Sequence, residues 1–139
     1  MKIHGFQKMT MLDFPEHVAC TIFTAGCNMR CPFCHNARLV THIEPEDEWD
    51  TEEILAYINK RKGLLDGVCI TGGEPLVKKN IVSICRRAAE VEGIEEVCLT
   101  TNGLGLTRLA KPLKEAGVNR LNLSLDTLDA EKYAYITRI

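Results

Sequence analysis

Residues 18–34 read VACTIFTAGCNMRCPFC, an apolar run that leads directly into three closely spaced cysteines. The β-branched and aliphatic residues of Val18–Thr24 predict a buried strand, and the glycine that follows predicts the turn that ends it. The cysteines are Cys27, Cys31 and Cys34, in the spacing C-x3-C-x2-C. A strand that leads into three thiols on one exposed loop indicates metal or cluster chemistry at the end of that strand.

Strand and helix patterns alternate through the rest of the chain. Further strands are predicted at Val68–Thr71, Val97–Thr101 and Leu121–Asp126. Amphipathic helices are predicted at 52–62, 80–91 and 106–116. This alternation predicts parallel strands joined by right-handed helical crossovers. We therefore expect an α/β fold with about four parallel strands and helices outside.

Length, charge and cysteine content limit the class of protein. The chain has 139 residues, which suits one domain over residues 1–139. A net charge of -2 gives no electrostatic reason to expect nucleic acid or a membrane as a partner. Asp13, Pro15, Glu16 and His17 interrupt any apolar leader segment, so we expect a cytoplasmic protein. Seven cysteines, an odd number, argue against a disulfide framework.

Polar side chains occupy one face of three predicted strands. A parallel sheet is usually apolar on both faces, so such rows are unexpected. The rows are Cys69 and Thr71, then Cys98, Thr100 and Asn102, then Asn122, Ser124 and Asp126. Ser and Thr at strand ends can simply satisfy backbone groups. Three consecutive strands with such rows favour a polar ligand at the carboxyl ends of the strands.

The cysteine spacing favours an iron–sulfur cubane. Such a cluster normally takes one thiolate for each of its four irons, so three cysteines leave one iron open. The rival hypothesis is a zinc site formed by Cys27, Cys31, Cys34 and His35.

Together with Thr71-Gly72-Gly73-Glu74-Pro75, the cysteine motif resembles the radical S-adenosylmethionine (SAM) family. The resemblance implies a partial (βα) barrel, truncated after the fourth strand, since the family's barrel has six βα units. It also implies a [4Fe-4S] cluster on Cys27, Cys31 and Cys34, and reductive cleavage of SAM to a 5'-deoxyadenosyl radical. The SAM contacts that the resemblance implies are Phe33, Gly72, Gly73, Glu74, Thr100, Asn102, Ser124 and Asp126.

The resemblance divides between two branches of this family. Residues 5–8, 12–15 and 27–36 resemble anaerobic ribonucleotide reductase activating proteins. Residues 99–103 and 122–128 resemble the molybdenum-cofactor GTP 3',8-cyclase. The chain therefore resembles a hybrid of the two.

Two departures from the cyclase pattern favour the activating protein as the main prediction. Cys20 and Cys69 stand where the cyclase family has arginines that serve the GTP triphosphate, and a thiol cannot replace a cationic fork. The partners implied are a glycyl radical enzyme such as anaerobic ribonucleotide reductase, and a flavodoxin or ferredoxin as electron donor. The alternatives are a cyclase-like protein of molybdenum cofactor synthesis and a non-catalytic cluster-binding partial barrel.

Overall fold

A five-stranded sheet forms the frame of the chain, and its strands follow one another in chain order. The computed structural model describes residues 3–11, 14–45 and 48–139. The strands are β1 (Ile3–Thr10), β2 (Ala19–Thr24), β3 (Gly67–Gly72), β4 (Glu96–Thr101) and β5 (Val118–Leu123). β1 pairs antiparallel with β2, and every later pair is parallel. The four predicted parallel strands and the partial barrel are thus confirmed, because the sheet is mostly parallel and does not close.

Helices connect the parallel strands. They are α1 (Arg38–Thr41), α2 (Thr51–Lys60), α3 (Ile81–Ala89), α4 (Leu106–Glu115) and α5 (Ala130–Thr137), with a short 3-10 turn at Pro75–Val77. Asp50 caps α2, because its carboxylate accepts a hydrogen bond from Glu52 N at 2.8 Å. None of the helices in the described ranges is long and apolar enough to cross a bilayer.

The main core lies between the sheet and α2, α3 and α4. Right-handed crossovers between successive strands place these helices on the same face of the sheet. The fully buried aliphatic residues of this outer core include Ile22, Ile54, Ile58, Val68, Ile70, Ile81 and Leu99. The opposite, inner face carries a smaller buried cluster of Phe14, Ala19, Cys69 and Cys98. The strand residues of this smaller cluster, Ala19, Cys69 and Cys98, have small side chains, and Phe14 packs over them.

β1 is an element that the sequence did not predict. Only part of it is buried, since the strand contains polar residues and Gly5. Its aromatic residue Phe6 packs edge-on against the rings of Trp49 and Tyr57, at centroid distances of 5.6 and 5.3 Å. Contacts with residues so distant in sequence leave no local periodicity to detect.

β5 corrects the predicted fourth strand, which was placed three residues too late. Gly117, with φ +91, allows the turn from which β5 starts. The side chain of Asn119 then accepts from Val97 N at 2.8 Å and donates to Glu95 O at 3.0 Å, and Arg120 pairs with Glu96. Because residues 95–97 pair with the side chains of Asn119 and Arg120, β5 can begin with these polar residues. Ser124 and Asp126 therefore follow the strand instead of lying on its face.

Candidate functional site

A cavity of about 470 Å³ opens at the carboxyl ends of the parallel strands. This volume is in the range of small-molecule sites. Its lining includes every residue that the sequence predicted for the site: Cys27, Cys31, Phe33, Cys34, Gly72, Gly73, Glu74, Thr100, Asn102, Ser124 and Asp126. The structure thus brings these residues together, while their individual roles toward SAM stay predictions.

The three thiols lie on the loop between β2 and α1, and each is partly exposed. Met29 N donates to Cys27 Sγ at 3.3 Å, and Cys34 N donates to Cys31 O at 3.2 Å, so the loop is folded into turns. Burial raises the pKa of the Cys27 thiol and of the Cys31 thiol, and the neighbouring thiols raise both further. Because the thiolate is the ligand form, loading iron must release these protons.

Arg30 stabilises the cysteine loop from two sides. Its guanidinium donates to Cys27 O and to Met29 O, each at 2.7 Å. Its backbone N donates to Thr137 O, at the end of α5, at 2.9 Å. The positive charge also lowers the pKa of Cys27 slightly against the larger effect of burial. The sequence pattern does not indicate this hydrogen bond between the cysteine loop and α5.

The two glycines after β3 bring the cysteine loop against the sheet. A Cβ on Gly73 would lie 2.2 Å from Gly26 O, and one on Gly72 would lie 2.4 Å from Thr24 O. In this close approach Gly73 N donates to Thr24 O and Glu74 N donates to Gly26 O, both at 2.8 Å. The close contact with the backbone that precedes Cys27 therefore requires both glycines, independently of any role in ligand binding.

The carboxylate of Glu74 joins the ends of β3 and β4. It is 1% exposed. Oε1 accepts from Leu76 N at 2.9 Å and from Thr101 Oγ1 at 2.7 Å, and Oε2 accepts from Asn102 N at 2.6 Å. A carboxylate offers about four acceptor positions, so one is left beyond these three bonds, and Glu74 also lines the cavity. Thr101 was missed by the sequence analysis because it lies on the opposite face from Thr100.

Asn102 connects β4 to the cysteine loop. Its Nδ2 donates to Asn28 Oδ1 at 2.8 Å, and its Oδ1 accepts from Leu104 N at 3.1 Å. A second amide, Asn36 Nδ2, donates to Gly72 O at 3.2 Å. Asparagine side chains thus fix both the cysteine loop and the glycine turn around the cavity.

The inner face beneath the cavity carries a thiol where the cyclase pattern has an arginine. Cys69 is 3% exposed and packs with Phe14 and Cys98. A hydrogen bond from Cys69 lowers the pKa of Cys98. Cys20, at the other arginine position, packs in the outer core, where burial raises its pKa to about 12. Neither position supplies a cation to the interior.

The donor set fits a cubane cluster. Three thiols on one loop can occupy three corners and leave the fourth iron open for a ligand. Among residues 3–11, 14–45 and 48–139, no group of three or more His, Cys, Asp or Glu side chains is placed so that it could hold one metal ion. The rival zinc set of Cys27, Cys31, Cys34 and His35 is therefore not arranged as such a group.

Comparison with known proteins defines the class. The sequence model of the Radical SAM superfamily matches residues 21–139, so the chain belongs to that superfamily. The cofactors of this superfamily are a [4Fe-4S] cluster and SAM.

Individual relatives then point to one branch. The chain is 47% identical over 116 residues to the GTP 3',8-cyclase of Moorella thermoacetica, covering 83% of this chain and 36% of the relative. It is 45% identical over 116 residues to the GTP 3',8-cyclase of Lactiplantibacillus plantarum, covering 83% and 35%. The corresponding enzyme of Alkaliphilus oremlandii is 42% identical over 113 residues, covering 81% and 35%. The chain thus spans about a third of the length of these relatives.

These matches revise the predicted hybrid. Since each extends over more than four fifths of the chain, the likeness to cyclases is not confined to the region after residue 71. The comparisons do not show the likeness to activating proteins. Of the motifs quoted for that likeness, Leu12 and Asp13 lie outside the described residues.

Proposed function

We propose that this chain acts as a radical SAM protein of the GTP 3',8-cyclase type. The observation that carries the proposal is an identity of 42–47% to proteins of that name over the region that holds the cysteine loop and the strand ends. The cavity supports it, because it gathers the thiols and the predicted SAM contacts from four strand ends.

The chain's own residues have distinct parts in this proposal. Cys27, Cys31 and Cys34 would hold the cluster, leaving SAM to bind beside it in the cavity that the three cysteines line. The remaining acceptor position of Glu74 and the backbone of the glycine turn receive the SAM amino group. Phe33, 53% exposed at the cavity, is free to contact the adenine through its main chain. When bound and reduced, the cluster supplies the electron that cleaves SAM to methionine and a 5'-deoxyadenosyl radical.

Binding of the GTP triphosphate is expected to be weak. The interior position where the cyclase pattern has an arginine is Cys69, which is packed against Phe14. Arg120 lies over the Phe14 ring at 4.9 Å and pairs with Glu96. A cation that is already paired is a poor anchor for a triphosphate.

The test is anaerobic reconstitution followed by SAM and a strong reductant, without GTP and over a GTP series that extends to concentrations at which even weak binding saturates. Formation of 5'-deoxyadenosine that rises with GTP, together with a 3',8-cyclised product, supports the proposal. Formation of 5'-deoxyadenosine without any response to GTP places the chain in another branch of the superfamily. If the cluster loads and SAM is not cleaved, the result supports the hypothesis of a non-catalytic, cluster-binding partial barrel.

The activating-protein hypothesis has its own assay. The reconstituted chain is incubated with SAM, reductant and an anaerobic ribonucleotide reductase, and the glycyl radical is measured by EPR. A radical that requires this chain would overturn the cyclase proposal. A glycyl radical enzyme partner and a flavodoxin or ferredoxin donor stay predictions.

A further inference from the structure

Two thiols outside the cysteine loop lie opposite each other on the inner face of the sheet. Cys69 of β3 and Cys98 of β4 are partners in the register of these parallel strands. Register partners point to the same face, and both residues belong to the buried cluster that includes Phe14 and Ala19. Neighbouring strands lie about 4.8 Å apart, which is within the range of about 4.4–6.8 Å that a disulfide requires between Cα atoms.

Cys98 lies close to solvent although its own side chain is buried. Asn122 of β5 is exposed, and its Nδ2 donates to Cys98 Sγ at 3.3 Å. An exposed amide is therefore in direct contact with the sulfur. Thr71 and Thr100, two residues further along the same strands, line the cavity at the strand ends. The thiol pair thus lies just below that cavity, and a molecule the size of water needs only a small local movement to reach Cys98.

The environment of Cys98 favours its thiolate. The hydrogen bond from Cys69 lowers the pKa of Cys98 against the opposing effect of burial, and the charge of Arg120 lowers it further. Cys20 and Cys85 provide the contrast, because they are packed in the outer core, where burial raises the pKa of each to about 12. The thiolate is the form that reacts with oxidants, so Cys98 is better prepared to react than these two thiols.

We propose that Cys69 and Cys98 are a peroxide-sensitive pair that closes to a disulfide between β3 and β4. The Cys98 thiolate attacks hydrogen peroxide, so that the O–O bond breaks, Cys98 becomes a sulfenic acid, and the released hydroxide takes up a proton to form water. The Cys69 thiol then attacks the oxidised sulfur, the S–S bond forms, the S–O bond breaks and a second water leaves. The two thiols lose two electrons, which the peroxide gains. This inference is independent of the proposed function.

The experiment treats the cofactor-free, full-length chain with hydrogen peroxide, unfolds it, alkylates the remaining thiols and digests it with trypsin. The cleavage sites separate three cysteines, which fall on different peptides: Cys69 on 63–78, Cys85 on 80–86 and Cys98 on 88–108. Mass spectrometry should show the alkylated forms of 63–78 and 88–108 disappearing together and a linked species of the two appearing. Dithiothreitol should reverse the link. Peptide 80–86 should remain alkylated throughout.

Two variants separate the steps. In Cys69→Ala, the sulfenic acid on Cys98 has no thiol opposite it, so dimedone should trap it. Cys85→Ala is the matched control and should form the link like the wild type. A Cys98 that stays reduced in C69A would contradict the proposal, because the first attack is assigned to Cys98.

Three results in the wild type would overturn the proposal. In the first, Cys69 and Cys98 both stay reduced at a peroxide concentration that oxidises the partly exposed thiols of the cysteine loop. In the second, Cys98 passes to higher oxides without a link to Cys69. In the third, either thiol is linked to the cysteine loop instead of to its register partner.

Discussion

Replacing Glu74 with glutamine should destabilise the protein even when no cofactor is bound. The carboxylate accepts three hydrogen bonds at 1% exposure. An amide keeps one acceptor oxygen, which can serve Leu76 and Thr101. Its NH2 group then faces the N–H of Asn102, and that donor is left without a partner. Losing one charge-assisted bond inside the protein costs about 2 kcal/mol.

This cost is measured on the cofactor-free protein by urea and thermal unfolding. About 2 kcal/mol corresponds to a fall in Tm of about 6 °C for a chain of this size. The matched control is Glu53→Gln, since Glu53 is exposed on α2, and a surface change of this kind should stay within about 0.5 kcal/mol of the wild type. If E74Q is as stable as E53Q, then Glu74 does not join the strand ends, and its role is confined to ligand binding.

Three further predictions concern the cysteine loop and the core thiols. Gly73→Ala places a Cβ against Gly26 O, so it should destabilise the site by about 2 kcal/mol and lower the iron content after reconstitution; unchanged iron would argue against this tight contact. Burial raises the pKa of Cys20 and of Cys85 to about 12. An unfolded thiol ionises near pH 8.5, whereas these two buried thiols stay protonated up to about pH 12. The stability that the two thiols contribute is therefore complete below about pH 8.5 and is lost as the pH rises toward about 12. At about pH 10 the loss is about 2 kcal/mol per thiol. The free energy of unfolding is measured with urea near pH 7 and near pH 10. It should fall less between these pH values in a Cys20→Ala/Cys85→Ala variant than in the wild type. An equal fall in both proteins would contradict the raised pKa of the two thiols. Finally, Cys31→Ala should remove most of the bound iron while Cys85→Ala retains it, as counted by metal analysis.

The central strands could be predicted from sequence because the apolar residues that bury each strand are consecutive in the chain. β2, β3 and β4 are short apolar runs ended by turn residues, and helices pack on them by simple periodicity. β5 was displaced because its first polar residues, Asn119 and Arg120, are satisfied by the neighbouring strand, a partner that a linear pattern does not show.

The sequence predicted which residues line the site, but not the contacts between those residues. Spacing and resemblance identified the residues that line the cavity. They did not show that Glu74 is bound by Thr101 and Asn102, or that Arg30 ties the cysteine loop to α5. These contacts join residues that are 27 or more positions apart in the chain, so only the folded structure reveals them.

The open iron is the claim on which the account depends, and EPR of the reduced, cluster-loaded protein tests it most directly. Spectra are recorded anaerobically before and after saturating SAM is added. The account predicts the spectrum of a [4Fe-4S] cluster whose g-values change with SAM, because the amino and carboxylate groups become ligands of one iron. A cluster spectrum that SAM leaves unchanged, or a colourless protein that binds one zinc per chain, would contradict it.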